Sequence, residues 1–177
     1  MKNLQQKPLS SQIVHKNQWF GVRRDELEEH QQYFVIEKEG SALTIPMNEQ
    51  GKVLLLDVFR YPIQQLSLEF PNGAIDPGED PKSAAKRELL EETGIDSTSL
   101  KKIGECFPAP GYSKSKEYIF LAQVKDKQHI FLPQSEDIRG YHWLSIEELL
   151  LAVHDHTLTD GYSLTALVFL KQYLQSR

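Results

Sequence analysis

A single cysteine, Cys106, stands among 177 residues, which excludes an internal disulfide and any zinc site built from several thiolates. A buried, inert thiol in a reducing cytoplasm is the expectation. Long apolar runs are missing too. No window approaches the roughly 20 residues of a membrane-spanning helix, and the opening MKNLQQKPLSSQIVHKNQWF has no apolar core of signal-peptide length. Excess positive charge is a third absence: 20 Lys and Arg face 25 Asp and Glu, a formal net charge of −5. That gives no electrostatic footprint for nucleic acid or an anionic membrane, so an anionic substrate needs local cations or a bound metal. The six histidines show no ligand spacing, and no Ser-His-Asp arrangement or internal repeat is found.

What remains is ordinary for a soluble globular chain, 40% hydrophobic and 25% charged, and long enough for one domain with a substantial core. Residues 1 to about 17 are polar and read as a loose arm. Short apolar runs bounded by turn residues follow: YFVIEKE, SALTIPM, KVLLLDVFRY, SLEF, KKIGECF and EYIFLAQV, all strand candidates. NEQG before Lys52 reads as a hairpin turn with Gly51 free to take positive φ. A helix is expected between Asp80 and Gly94, capped by Asp80, with Pro81 in its first position and Gly94 as terminator. Ser145 and Glu148 have capping-box spacing at the head of a second helix, and Leu167, Leu170, Tyr173 and Leu174 recur at helical intervals in a third. Strands flanked by a few helices, without regular alternation, indicate α+β rather than a doubly wound sheet.

The stretch EFPNGAIDPGEDPKSAAKRELLEETGI concentrates negative charge where charges of one sign repel. Glu88, Glu91 and Glu92 are related by i,i+3 and i,i+4, which puts their carboxylates on one helical face. A glutamate-rich helix is most often a solvated surface. Here Glu79 stands where it can hold Arg87, the loop carrying Gly73 and Gly78 lets backbone approach the helix, and three carboxylates are hard oxygen donors suited to magnesium or manganese. The pattern therefore reads as a metal-binding loop and helix.

Gly73, five residues, Glu79, seven residues, Arg87-Glu88-Leu89, one residue, Glu91-Glu92, one residue, Gly94-Ile95: this resembles the Nudix box at every fixed position, the signature of hydrolases that cleave a nucleoside diphosphate linked to another moiety. The resemblance implies a Nudix-type α/β/α sandwich with a mixed sheet, covering the chain from about Ala42 onward. It also implies Glu88, Glu91 and Glu92 as metal ligands, a backbone carbonyl of Asn72 or Gly73 as a further ligand, and Arg87 orienting the carboxylates against Glu79. The implied cofactor is Mg2+ or Mn2+.

VFRYPIQQLSLEFPNG is similar to the lead-in of the ADP-ribose and nucleoside-diphosphate-sugar pyrophosphatase branch, with Arg60 and Glu69 at matching positions. Arg60 suits a phosphate, and Glu69 suits a ribose hydroxyl or the metal site. CFPAPGYS resembles the segment that sets this branch apart, with Pro110 sixteen residues past Gly94; a glutamate that the branch places soon after the serine stands two positions late, as Glu117. QSEDIRGYHWLS resembles the branch's acidic loop, which makes Glu136 the candidate general base, with Asp137 beside it. Its rivals are Glu91 and Glu92, and SED is otherwise a polar turn.

Residues 1–41 are expected to form an arm and antiparallel dimerisation strands, and residues 42–177 the hydrolase domain. Trp19 or Phe20 would stack on a base, in the partner's site, or plug the dimer seam. The function implied is divalent-metal-dependent hydrolysis of ADP-ribose or a related nucleoside diphosphate sugar by a homodimer. The alternatives are another nucleoside diphosphate derivative, namely a GDP-sugar, dinucleotide or triphosphate, and a non-catalytic binding protein of the same fold.

Overall fold

Alternation within three strands explains the layering. In β4 (Ser41–Met47), β5 (Val53–Arg60) and β9 (Glu117–Gln123), odd positions Leu43, Ile45, Val53, Leu55, Ile119 and Leu121 face one core. Even positions Ala42, Leu54, Phe120 and Ala122 face another. A sheet apolar on both faces needs cover on both. Helix α1 (Pro81–Thr93) supplies Ala84, Ala85 and Leu89 to the second core. Helices α2 (Ile146–His154) and α3 (Gly161–Gln175) supply Leu149, Ala152, Ala166, Leu167 and Leu170 to the first. The result is the expected α/β/α sandwich.

The computed structural model describes residues 6–28, 31–97, 99–126, 129–133 and 137–176. Among the described residues the central sheet has seven strands. Its main path is β10 (Ile138–Leu144), β5, β4, β9, β8 (Leu100–Cys106); β6 (Gln65–Glu69) also pairs β5, and β7 (Asn72–Ala74) also pairs β4. β4 and β9 run parallel with Ser41 opposite Glu117, while the other pairings are antiparallel, so the sheet is mixed.

A separate three-stranded antiparallel sheet, β1 (Ser10–Lys16), β2 (Gly21–Glu28) and β3 (Gln31–Glu37), precedes it. Here the loose-arm expectation is corrected: residues 10–16 are a strand, paired with β2 from Ser10↔Glu26 to Lys16↔Gly21. Every residue of β1 is exposed, so no apolar alternation marked it. Its partner and its turn hold it, with Asn17 Oδ1 accepting from the amides of Trp19 and Phe20 at 2.8 Å each. β3 is tied to the segment after β8, since Ile36 N donates to Tyr112 O at 2.7 Å and Tyr33 Oη donates to Gly111 O.

The local signals act as expected. Asp80 accepts from the amides of Lys82 and Ser83, and Gly94 ends α1 at φ 73°. Ser145 and Glu148 form a reciprocal capping box, and Gly51 takes φ 76° in the β4–β5 turn.

Candidate active site

The buried Ala84, Ala85 and Leu89, which anchor α1 in the core, turn its glutamates toward β7. Gly73 is the contact point: a Cβ there would lie 1.9 Å from Glu88 Cδ, so a side chain at 73 and the Glu88 carboxylate cannot share the space. One residue earlier, the Asn72 amide donates to Glu92 Oε2 at 3.0 Å. The loop therefore holds two of the three glutamates against its own backbone.

Arg87 binds the rest together. Its Nε donates to Glu79 Oε1 at 3.1 Å and its Nη2 to Glu79 Oε2 at 2.9 Å; Nη2 also reaches Ala74 O at 2.9 Å. Its Nη1 donates to Glu88 Oε1 at 2.7 Å and to Glu91 Oε2 at 3.2 Å. The forked bond from Arg87 holds the Glu79 carboxyl below its ordinary range. Among the described residues, no three His, Cys, Asp or Glu side chains are gathered as a metal-holding group, and in this arrangement Arg87 is the cation the carboxylates share.

A cleft of about 750 Å³ opens beside β7. The β1–β2 turn with Trp19, the β3–β4 connection from Lys38 to Ser41, Arg60, Glu69, Asn72 to Pro77 and the head of α3 at Asp160 to Tyr162 line it. Trp19 is 76% exposed and lines the cleft of its own chain. Arg60 and Glu69 meet each other in a forked pair, Nε–Oε1 2.9 Å and Nη2–Oε2 2.5 Å. The Glu69 side chain is buried and that of Arg60 is half exposed, so the carboxylate fixes the guanidinium at the cleft edge. Pro110 is exposed and lies outside the cleft lining. Glu136 lies outside the described residues; Asp137, next to it, is exposed and paired with Arg139 at 3.1 Å.

Sequence reasoning did not find a role for the group behind the wall of the cleft. Glu117 heads β9 fully buried, accepts a hydrogen bond from Ser41 Oγ, and leaves Oε1 without a partner. Burial pushes its carboxyl up to about 7. Asn72 Oδ1 is likewise buried without a partner. The sequence signals for Glu117 were its place two positions beyond the branch's glutamate and its opening of an otherwise apolar strand run, EYIFLA. Asp160, raised by burial, caps α3 through Ser163 N at 2.8 Å and brings a further carboxylate to the cleft. Cys106 is partly buried, and burial raises its thiol pKa further, as an inert thiol requires.

The donor set fits a hard divalent ion. Glu88, Glu91 and Glu92 share one face, and the Gly73 cradle admits a carboxylate where a Cβ would stand.

The NUDIX domain family matches residues 37–166. The ADP-ribose pyrophosphatase of Bacillus subtilis (strain 168) is 24% identical over 187 residues, covering 100% of both chains. The GDP-mannose pyrophosphatase of Yersinia pestis (strain Pestoides F) is 27% identical over 166 residues, 88% of this chain and 81% of that protein. A crystal structure of an ADP compounds hydrolase superposes with a TM-score of 0.78 at 21% identity, covering 99% of this chain and 98% of the other.

Proposed function

We propose, from the premise that this chain belongs to the NUDIX domain family, that it hydrolyses the pyrophosphate bond of ADP-ribose or a related nucleoside diphosphate sugar, releasing a nucleoside monophosphate and a sugar phosphate. The observation that carries this reading is the α1 carboxylate face seated on Asn72 and Gly73, which in turn line a cleft large enough for a nucleotide. Full-length similarity to an ADP-ribose pyrophosphatase supports the substrate class.

Glu88, Glu91 and Glu92, with the Asn72–Gly73 backbone, would hold the divalent ion, Mg2+ or Mn2+. When bound, the ion supplies charge neutralisation at the pyrophosphate and acidifies water. Arg87 orients the carboxylates through its bonds to Glu79 and Ala74 O. Arg60, held by Glu69 at the cleft edge, would donate to a phosphate oxygen. Trp19 offers a ring to the base. Glu136 is the proposed base, and E136Q should cost roughly two to four decades in rate with metal affinity retained. An E136Q enzyme at full rate would return that role to Glu91 or Glu92.

The N-terminal sheet exposes Ile13, Val14, Tyr33 and Phe34 at 48%, 45%, 43% and 52%. A second copy covering them would make a homodimer. The activity is tested by phosphate-coupled turnover of ADP-ribose, UDP-sugars, GDP-mannose, diadenosine polyphosphates and triphosphates with Mg2+ or Mn2+. Preference for ADP-ribose supports the reading. Preference for GDP-mannose supports the neighbouring one that the Yersinia relative suggests, and no turnover of any diphosphate-linked compound rejects both.

A further inference from the structure

We propose that a lysine-lined groove beside the cleft binds a phosphoryl group that the substrate carries beyond the two of its scissile pyrophosphate. The groove measures about 440 Å³ and runs into the cleft, the two sharing Lys38, Glu39, Gly40 and Ile75. Lys114 and Lys116 line its other side. The proposal rests on the pyrophosphohydrolase reading and names what else its substrate carries.

The two walls are fixed to one another. Ser41 N donates to Lys116 O at 2.9 Å, and Ser115 Oγ donates to Glu39 O at 2.6 Å. At Gly40 the backbones approach so closely that a Cβ would stand 2.7 Å from Lys116 O. Only glycine permits that contact, so the spacing of the lysines across the groove is set by backbone and not by flexible side chains.

Lys116 is neutralised by Glu105, but Lys38 and Lys114 are not matched in this way. Lys116 is held in place, with Nζ 2.7 Å from Glu105 Oε1 and 5.3 Å from the centre of the Phe107 ring. The two acids lining the groove are Glu39 and Glu79, and Glu79 is already spent on Arg87. Lys38 and Lys114 form no ion pair among the described residues. In a chain of net charge −5, three lysines lining one groove from two clamped segments, two of them outside any ion pair among the described residues, stand next to a nucleotide-sized cleft and suit a phosphate dianion, which lysine binds as a point charge without demanding fixed angles.

Three probes place the added phosphate differently: ADP-ribose phosphorylated on its nucleoside ribose, ADP-ribose phosphorylated on its distal ribose, and diadenosine triphosphate in place of the diphosphate. Binding is measured by calorimetry in EDTA, alongside KM with metal. At least one probe should bind about tenfold tighter than its parent, equivalent to about 1.4 kcal/mol. K114E should abolish that advantage and K114R should keep it, with the parent's affinity unchanged in both. Lys114 is exposed, so equal melting temperatures are expected. Raising salt from 50 to 500 mM should shrink the advantage. No tighter-binding probe, or equal losses for probe and parent in K114E, overturns the groove. If the probes bind through Lys114 yet ADP-ribose is never hydrolysed, the functional reading fails and the groove stands. Hydrolysis of ADP-ribose without any probe preference has the opposite meaning.

Discussion

Two single-atom contacts decide whether the carboxylate face works. G73A puts a methyl group into the Glu88 carboxylate. It should lower kcat at least a hundredfold, about 2.7 kcal/mol of transition-state stabilisation, while far-UV circular dichroism stays native. E92Q, which removes charge without volume, should lose a similar amount. Either variant turning over at the wild-type rate in saturating Mg2+ would remove α1 from the chemistry. Glu117 makes a prediction about stability. Its folded pKa of about 7 lies above the ordinary 4.5, so the folded state keeps a proton that the unfolded chain releases. The contribution of Glu117 to stability is then fully present below about pH 4.5 and is lost as pH rises to about 7, by up to about 3 kcal/mol, against the opposite trend of carboxyls held low such as Glu79 and Glu105. The burial penalty outweighs the opposing effects of the Ser41 bond, of Lys38 and of the Asn72 side chain, while Asp160 adds to it. The difference in Tm between E117Q and wild type, measured in EDTA, should therefore grow from pH 4.5 to pH 7, with E117Q melting several degrees higher at pH 8. Parallel pH curves for the two proteins would refute the assignment.

At the scale of elements, α1 was legible because each of its signals is local. A cap, a first-position proline, a terminating glycine and a buried Ala84-Ala85-Leu89 face all lie within fifteen residues. D80A removes an acceptor for two amides and should cost about 1 kcal/mol, lowering Tm by about 2–4 °C. An unchanged Tm would mean that packing alone holds the helix. The box positions were readable for the same reason of spacing. β1 was not, because a strand exposed along its whole length carries no alternating pattern, and only its pairing with β2 identifies it. Arg60 and Glu69 were placed separately from the sequence, but their mutual pair depends on how β5 and β6 fold back on each other. Glu117 with Ser41, and Lys38 with Lys114, come together only through the parallel β4–β9 pairing and the segments beside it. No periodicity reports contacts of that range.

For the whole molecule, the N-terminal sheet poses the question of assembly. Removing residues 1–40 should yield a monomeric or aggregating protein with weaker nucleotide binding, since Trp19 leaves the cleft. Light scattering after size exclusion checks the first outcome and calorimetry with ADP-ribose the second. A full-length protein that is monomeric at micromolar concentration would reject the dimer. The parallel register of β4 and β9 also has a kinetic consequence. Ser41 and Glu117 meet across 76 residues, so the central strand has no neighbour on that side until most of the chain exists. Closing so long a loop precedes the contacts that reward it. Refolding after a denaturant jump should therefore be slow, on the order of milliseconds to seconds. A fragment ending before β9 should remain unfolded despite containing the entire glutamate helix, because that helix alone cannot hold the strands it rests upon.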